Sequence, residues 1–266
     1  MPELPEVETI RRELSETVVG KRIVNVIINN PKVIRQPPAE KFKAGLINAV
    51  IKEVLRRAKV LVIALSNNKF LVIHLKMTGQ LIYPGDGKKS RVTFCFADKT
   101  ALDFNDARLF AELHLVDDWQ KFPFIKQLGP EPQDITKEDF KKMLEEKKTQ
   151  IKPLLMDQSF ISGIGNLYAA EILFRAGIHP KRSAQSLTEK EKEKLFDAMR
   201  EVIREAIKYH GSSVDQYVRL SGRPGDYVRY HKVYDRANQP CVVCKTAIKR
   251  ITVGGRGTYF CPRCQQ

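Results

Sequence analysis

Near the C-terminus the chain contains Cys241-Val242-Val243-Cys244 and then, after residues 245–260, Cys261-Pro262-Arg263-Cys264. Two C-x-x-C pairs at this separation are typical of a zinc ion held by four thiolates. Each pair forms a tight turn, and one tetrahedral ion would join the two turns of a hairpin too small to bury its own core. The sequence therefore predicts one structural Zn²⁺ held by Cys241, Cys244, Cys261 and Cys264.

The charge of this hairpin indicates what kind of partner it binds. Residues 240–266 contain no Asp or Glu, and their basic residues are Lys245, Lys249, Arg250, Arg256 and Arg263. Because zinc with four thiolates carries about −2, the hairpin remains positive, which favours binding to nucleic acid. The alternative is a pair of disulfides in a secreted protein, but the rest of the chain does not resemble one.

Composition supports a polyanionic partner. The 266 residues include 46 Lys and Arg against 31 Asp and Glu, giving a net charge of +15 and a pI near 9.6. Such an excess favours salt-dependent binding to a polyanion, although solubility alone is the alternative explanation. No apolar run reaches the roughly 18 residues of a membrane span, and the N-terminus does not resemble a signal peptide. With Cys95 interpreted as an inert core residue, we expect a reducing, cytoplasmic location.

The first half of the chain has the pattern of an antiparallel β-sandwich with a helix packed on it. Residues 6–18 place Val7, Ile10, Leu14 and Val18 on one helical stripe. Short segments rich in β-branched and apolar residues follow, and turn residues separate them. The predicted strands are 22–29, 49–56, 60–65, 70–75, 92–97, 100–104 and 109–116.

The second half is predicted to be helical. Prolines and a glycine in 121–133 indicate a linker, and the predicted helices are 135–146, 151–160, 166–176 and 187–210. Either Ser186 with Glu189 or Thr188 with Glu191 could form the capping box of the last helix. We expect an α+β multidomain protein. Its parts are a β-sandwich domain (1–120), the linker (121–133), a helical domain that ends in a long loop (134–228) and a zinc finger (229–266).

The N-terminus contains a candidate nucleophile. Because Pro2 is small, removal of Met1 is expected, and this exposes a secondary amine. A free α-amino group titrates at about 7.7–8.0, so part of it is neutral and nucleophilic at pH 7. Glu3 follows directly and can exchange protons. The alternative is that these residues merely begin and cap a helix.

Five motifs in order along the chain resemble the bacterial formamidopyrimidine-DNA glycosylases, also known as MutM or 8-oxoguanine-DNA glycosylases. The motifs are Met1-Pro2-Glu3-Leu4-Pro5-Glu6-Val7-Glu8, His74-Leu75-Lys76-Met77-Thr78-Gly79, Leu128-Gly129-Pro130-Glu131-Pro132, Gly163-Ile164-Gly165-Asn166-Leu167-Tyr168-Ala169-Ala170-Glu171, and Val253-Gly254-Gly255-Arg256-Gly257-Thr258 with the second cysteine pair. The fourth motif resembles the family's helix–two-turn–helix element, so the second domain is expected to have that fold.

The resemblance implies a mechanism. Pro2 would attack C1′ of a damaged nucleotide and form a Schiff base, while Glu3 would donate a proton that helps to open the sugar. Lys59 matches the family lysine linked to β-elimination, and Arg256 matches the finger arginine that contacts phosphates and is linked to δ-elimination. The expected activity is that of a bifunctional glycosylase and AP lyase in base excision repair.

The resemblance also implies a set of DNA-contacting residues. Met77, Arg108 and Phe110 match the trio that fills the space left by a flipped-out nucleotide, although each alone would more often be an ordinary core or surface residue. Contacts to the DNA backbone are expected from Lys148 and Lys152, and Arg91 stands where many relatives have a histidine near DNA. Asn166 is expected to bind a phosphate or to cap its helix, and Tyr234 to reach a phosphate or to pack beside the finger.

Substrate preference depends on two further features of the resemblance. The sister family that acts on oxidised pyrimidines usually has glycine in place of Leu4 and lacks a lid like residues 221–227, so oxidised purines such as 8-oxoguanine and formamidopyrimidines are expected. The glycine that usually follows the void-filling phenylalanine is Ala111 here, which leaves the backbone angles of that loop open. The partner would be double-stranded DNA bound by a monomer. Alternatives are an inactive lesion-binding protein, a glycosylase that acts mainly on oxidised pyrimidines and a zinc-ribbon protein that acts on RNA.

Overall fold

The computed structural model describes all residues from Met1 to Gln266. The chain divides into two compact units. The first unit consists of Met1–Lys126 together with Tyr209–Val228, and the second consists of Gln127–Lys208 together with Arg229–Gln266. Each unit is described by itself.

The first unit contains two β-sheets. Its strands are β1 (Ile23–Ile28), β2 (Ile34–Gln36), β3 (Ile51–Arg57), β4 (Val60–Leu65), β5 (Phe70–His74), β6 (Gly79–Ile82), β7 (Val92–Phe96), β8 (Ala101–Asp106) and β9 (Glu112–Val116). One sheet has the order β2-β9-β5-β4-β3 and the other has the order β1-β7-β8-β6. All neighbouring strands are antiparallel except β2 and β9, which are parallel.

A single apolar core joins these sheets to the first helix, α1 (Leu4–Thr17). Val7, Ile10 and Leu14 of α1 are buried in it, because they recur on one face of the helix. Phe94 and Phe104 come from the four-stranded sheet, and the buried side of the five-stranded sheet closes the core. The predicted sandwich with a packed N-terminal helix is confirmed.

The predicted strands and helices of the first unit do not include β2, β6 or the short helix α2 (Ala39–Leu46). In α2 only Phe42 and Leu46 are buried, so its apolar pattern is too short to be recognised as a helix. A one-turn helix, α3 (Pro123–Lys126), ends the unit's first segment. The predicted strand 109–116 begins only at Glu112, because the preceding residues form a loop held by Asp106.

The segment Tyr209–Val228 packs with the first unit, whereas the sequence analysis placed it in the helical domain. Glu13 of α1 explains this packing, since its carboxylate accepts hydrogen bonds from Arg219 Nε (2.6 Å) and from the backbone N–H of Leu220 (2.8 Å). The carbonyl of Leu220 in turn accepts from the N–H of Tyr83 at 2.8 Å. Periodicity cannot reveal such long-range contacts, because it reports only on residues that are close together in the sequence.

The second unit is helical and ends in a small hairpin. Its elements are α4 (Lys137–Glu145), α5 (Ile151–Met156), α6 (Asn166–Ala176), α7 (Glu189–Lys208) and the antiparallel strands β10 (Lys249–Val253) and β11 (Arg256–Phe260). Phe140 lies 5.7 Å from Phe196 and 6.2 Å from Phe160, measured between ring centroids, and these rings join α4 to α7 and to the loop after α5. None of the helices combines the length and the apolar character that crossing a membrane requires.

The start of α7 distinguishes the two predicted capping boxes. Glu191 Oε2 accepts a hydrogen bond from the N–H of Thr188 (2.8 Å), and Thr188 Oγ1 accepts one from the N–H of Glu191 (3.3 Å). This reciprocal pair is a capping box. Thr188 is therefore the N-cap of the helix.

Candidate functional site

The N-terminus lies against the first turn of α1. Pro2 and Glu3 are buried, and Glu3 is the N-cap residue of the helix. Glu6 Oε2 accepts the backbone N–H of Glu3 at 2.8 Å, and the Glu3 carboxylate completes the capping box. The capping alternative is therefore part of the structure, and it fixes the carboxylate of Glu3 directly beside Pro2.

Glu6 has a second contact, which no pattern in the sequence predicts. Its Oε1 accepts the backbone N–H of Ser212 at 2.8 Å. The preceding Gly211 has φ +74°, and a Cβ there would lie 2.8 Å from the same oxygen, so a side chain would not fit. One carboxylate thus ties the beginning of α1 to the base of the 209–228 segment.

Lys59 occupies the two-residue turn between β3 and β4. Ala58, the first turn residue, has φ +51°, as the first central residue of a type II′ hairpin turn requires. Lys59 is buried, and burial lowers the pKa of its ammonium, while the charges of Glu3 and Glu6 oppose this effect. The charges of Glu3 and Glu6 therefore act on the Lys59 ammonium within the first unit, and Pro2 is the residue next to Glu3 in the chain.

An ion-pair cluster centred on a buried carboxylate lies next to the turn that contains Lys59. Glu8 of α1 contacts Arg11 (2.9 Å), Arg12 (2.8 Å) and Arg56 (3.0 Å). Arg56 Nη1 also donates to the carbonyl of Ala58 at 2.9 Å, in the turn that contains Lys59. Burial alone would raise the pKa of Glu8, but the hydrogen bonds from the three arginines outweigh burial and lower the pKa to about 2.

Substituting Glu8→Gln is expected to destabilise the first unit by about 1–2 kcal/mol at pH 7, after allowance for solvent screening. The folded pKa of Glu8 is depressed from its ordinary 4.5 to about 2. Its contribution is therefore complete above pH 4.5 and is lost as the pH falls towards 2. Urea unfolding between pH 3 and 7 measures this difference. Glu16→Gln, at an exposed position of α1, is the control, and equal losses from both substitutions would contradict the expectation.

The three residues predicted to fill the space of a flipped nucleotide lie together. Met77 and Phe110 are exposed to 44% and 47%, which is unusual for apolar side chains of this size. Arg108 stands between them: its Nη1 lies 3.7 Å from Met77 Sδ, and its Cζ lies 4.6 Å from the centre of the Phe110 ring. The structure thus places an apolar and cationic tip on two adjacent loops, rather than in the core.

Two neighbouring positions complete this part of the first unit. Ala111 is fully buried and has no left-handed φ, so alanine replaces the usual glycine without backbone strain. Arg91 is half-buried just before β7, and its Nε donates to the carbonyl of Asp106 at 2.8 Å. Arg91 is thereby fixed beside the loops that carry Met77 and Phe110.

In the second unit, Lys152 and Asn166 form a hydrogen-bonded chain. Lys152 is fully buried in α5, and its Nζ donates to Asn166 Oδ1 at 2.5 Å. Asn166 Nδ2 then donates to the carbonyl of Gly257 in β11 at 3.1 Å. Gly165, not Asn166, is the N-cap residue of α6, so the expectation of simple N-capping by Asn166 is wrong. Lys152 holds Asn166 instead of presenting an exposed ammonium.

The remaining predicted contact residues of this unit differ in exposure. Lys148 is exposed in the loop between α4 and α5, and Arg256 is exposed at the tip of the β10–β11 hairpin. Gly254 and Gly255 form the hairpin turn with φ +55° and +72°, which a type I′ turn requires. Tyr234 is half-buried, and the centre of its ring lies 5.3 Å from that of Tyr259 in an edge-on arrangement. Tyr234 therefore packs beside the finger, which is one of its two predicted roles.

A fully buried carboxylate anchors the entrance to the finger. Glu171 of α6 accepts hydrogen bonds from three successive backbone N–H groups, those of Lys232 (2.9 Å), Val233 (3.0 Å) and Tyr234 (2.8 Å). Burial raises the pKa of Glu171, and these three hydrogen bonds oppose the rise. The segment before the zinc hairpin is thus fixed on α6.

Glu171→Gln is expected to destabilise the second unit by about 2–4 kcal/mol, because the new amide turns a donor towards backbone N–H groups that need an acceptor. Thermal unfolding followed by circular dichroism measures the loss. Glu201→Gln, on the exposed face of α7, should change the melting temperature much less. A Glu171 variant as stable as the Glu201 variant would show that the three hydrogen bonds contribute little.

The four predicted zinc ligands converge. Their sulfur atoms all lie within 4.8 Å of one another, with Cys241 Sγ 3.9 Å from Cys264 Sγ and Cys244 Sγ 3.4 Å from Cys261 Sγ. Zn–S bonds of about 2.3 Å in a tetrahedron place sulfurs about 3.8 Å apart. Backbone N–H groups of Val243 and Cys264 point at sulfurs of their own turns (3.4 Å). The site fits one structural Zn²⁺, as predicted.

Comparison with known protein families covers most of the chain. Residues 1–113 match the formamidopyrimidine-DNA glycosylase N-terminal domain, residues 128–218 match the H2TH domain of the same enzymes, and residues 238–266 match the zinc finger found in FPG and IleRS. The H2TH match confirms the predicted helix–two-turn–helix fold.

Individual relatives match over the whole chain. Formamidopyrimidine-DNA glycosylases of Solibacter usitatus and Pelotomaculum thermopropionicum are each 41% identical, over 100% of this chain and 100% and 99% of theirs. The MutM protein of Thermus thermophilus aligns with a TM-score of 0.89 at 39% identity, covering 99% of this chain and 98% of its own. A Lactococcus lactis FPG mutant in complex with Fapy-dG-containing DNA aligns with a TM-score of 0.92 at 34% identity, covering both chains fully. The chain therefore belongs to the formamidopyrimidine-DNA glycosylase family.

Proposed function

We propose that the protein is a bifunctional DNA glycosylase and AP lyase that removes oxidised purines from double-stranded DNA during base excision repair. It would act as a monomer in the cytoplasm. The observation that supports this most directly is the burial of Pro2, Glu3 and Lys59, together with the effect of the Glu3 charge on the Lys59 ammonium. The solved Lactococcus lactis relatives in complex with Fapy-dG-containing DNA and with abasic-site DNA support the substrate class.

The proposed reaction begins after removal of Met1. The lone pair of the Pro2 amine forms a bond to C1′ of the damaged nucleotide, while the bond between C1′ and the base breaks and the base leaves with a proton. Glu3 gives a proton to O4′, the sugar ring opens, and C1′ and the Pro2 nitrogen form an iminium. Loss of a C2′ proton then breaks the C3′–O bond, and loss of a C4′ proton releases the phosphate at C5′.

Lys59 fits the role of a group that moves protons in these eliminations. Because burial lowers the pKa of its ammonium, a larger share of the amine is neutral than at an exposed lysine, and a neutral amine accepts protons. The charges of Glu3 and Glu6 oppose this effect. Lys59→Met is expected to slow strand cleavage more than base removal.

The remaining residues would bind and distort the DNA. A target base inside a duplex must be flipped out before Pro2 can reach its sugar. The exposed side chains of Met77, Arg108 and Phe110 would fill the space that it leaves. In the second unit, phosphate contacts are proposed for the exposed cations of Lys148 and Arg256, for Asn166 and for Tyr234. Lys152 would act indirectly, through its hydrogen bond to Asn166.

Borohydride trapping tests the mechanism, because it reduces an iminium to a stable amine. The protein is incubated with duplexes containing 8-oxoguanine, an oxidised pyrimidine or no lesion, and the covalent adduct is measured by gel shift. We expect an adduct with 8-oxoguanine, less with the pyrimidine and none with undamaged DNA. Tight, salt-sensitive lesion binding without an adduct or nicking would instead identify an inactive lesion binder, and a dominant pyrimidine adduct would reverse the specificity.

A further inference from the structure

Met77, Arg108 and Phe110 lie on two irregular loops, which we call the tip loops: residues 75–78 between β5 and β6, and residues 107–111 between β8 and β9. Each tip loop contains a non-glycine residue in the left-handed region, Lys76 with φ +50° and Leu109 with φ +58°. Such backbone conformations persist only where surrounding contacts hold them. The side chains of the trio are exposed, so the groups that hold the loops must lie beneath them.

One carboxylate beneath the tip loops contacts both of them. Asp106, the last residue of β8, is only 1% exposed. Its Oδ1 accepts hydrogen bonds from the Thr78 hydroxyl and from the N–H of Arg108 (3.2 Å), and its Oδ2 accepts one from the N–H of Ala111 (2.7 Å). Each donor is therefore a member of the trio or the residue next to one.

Close packing around Asp106 restricts the movement of the tip loops. A Cβ on Gly79 would lie 2.6 Å from the carbonyl oxygen of Leu75 and 2.9 Å from Ala111 Cβ, so the Ala111 side chain of one tip loop packs directly on the backbone at the end of the other. The carbonyl of Asp106 also accepts Arg91 Nε at 2.8 Å. Asp106 thus connects both tip loops with a cation on a third segment.

We infer that Asp106 is a positioning residue that sets Met77, Arg108 and Phe110 as one rigid tip, so that lesion excision from duplex DNA depends on its carboxylate. The inference rests on the proposed role of the trio. An ionised carboxylate can accept all three donors at once. An asparagine at this position would direct an NH₂ group at one of the donors, and the tip loops would shift relative to each other.

The test is a double-mutant cycle on single-turnover excision of 8-oxoguanine from a duplex. Asp106→Asn keeps the backbone carbonyl that accepts the hydrogen bond from Arg91, so the substitution tests the contribution of the carboxylate alone. We expect it to slow excision about 100-fold, since a displacement of about 1 Å can cost that much. Because Asp106 acts through the tip, combining Asp106→Asn with Phe110→Ala should slow excision hardly more than the stronger single change. Rate losses that multiply would overturn the inference.

Asp103→Asn is the matched control. Asp103 is also buried on β8, and its carboxylate accepts hydrogen bonds from the N–H of Gly87 (2.8 Å) and from Thr93 Oγ1 (2.6 Å), but it contacts neither tip loop. Its effect should multiply with that of Phe110→Ala. Asp106→Asn and Asp103→Asn variants that excise at rates within threefold of each other would refute a specific role for Asp106.

A thermal melt shows whether the Asp106→Asn variant folds. If it does not, a second variant tests the role of Asp106. Thr78→Val removes one donor to the same carboxylate and should slow excision about 3- to 10-fold, again without adding to Phe110→Ala. Full additivity of this variant would contradict the inference. A wild-type protein that excises no lesion would instead refute the proposed function.

Discussion

Extending the chain with a cleavable peptide in front of Pro2 is expected to lower the rate of lesion excision by at least about 10³-fold. The nitrogen of Pro2 becomes an amide in the extended chain. Its lone pair is then delocalised into the carbonyl group and cannot attack C1′. Glu3, Lys59 and the residues proposed to contact DNA are unchanged, so duplex affinity should fall far less than the rate. Single-turnover excision and fluorescence anisotropy on the same 8-oxoguanine duplex measure the two effects separately.

The same polypeptide provides its own control. A protease site placed so that cleavage leaves Pro2 as the first residue should restore both excision and the borohydride adduct. Mass spectrometry of the trapped peptide should place the added mass on Pro2. An extended protein that excises the lesion at the wild-type rate would show that another residue is the nucleophile, and Lys59 would then be the first candidate, because burial lowers the pKa of its amine.

The sequence predicted those features that depend on local spacing. The stripe of Val7, Ile10 and Leu14 follows directly from helical periodicity, and the cysteine pairs follow from ligand spacing. The exposed tip was also found, but only because the chain resembles a known family. Alone, Met77 and Phe110 are apolar residues next to strands, and periodicity assigns such residues to a core rather than to the surface.

Features that depend on contacts between distant segments were not predicted. Asp106 is a single acid at a strand end, and nothing local indicates that Thr78 and Ala111 would both donate to it. The bond between Glu6 and Ser212 joins positions 206 residues apart. Buried acids at strand and helix ends are the available signal, because a buried carboxylate must find donors. The identity of the donors follows only from the fold.

Removal of zinc is expected to weaken binding to lesion duplex by at least about 100-fold, with a smaller effect on the excision rate of the saturated complex. The finger's buried set is small: Val233, Cys241, Ile248 and Cys261 pack with two residues of α6. So few side chains cannot keep two turns folded, whereas zinc supplies about 10–16 kcal/mol to comparable thiolate fingers. Once the hairpin opens, Arg256 is no longer presented in a fixed place, and the dependence of affinity on salt should become shallower.

Titration with a thiol-reactive mercurial releases the ion in measurable steps, and anisotropy on the lesion duplex follows the affinity at each step. The expected stoichiometry is one zinc per chain, with affinity falling in proportion to its release.

Cys95→Ala provides the matched control, because Cys95 lies on β7 outside the cluster, and its loss should change neither zinc content nor affinity. Since the residues proposed for base removal, Pro2 and Glu3, belong to the first unit, we expect the excision step to depend less on the folded finger once DNA is bound. Unchanged affinity after complete zinc release would show that the hairpin contributes nothing to DNA binding, and an excision rate that falls as far as the affinity would show that the metal also supports the chemical step.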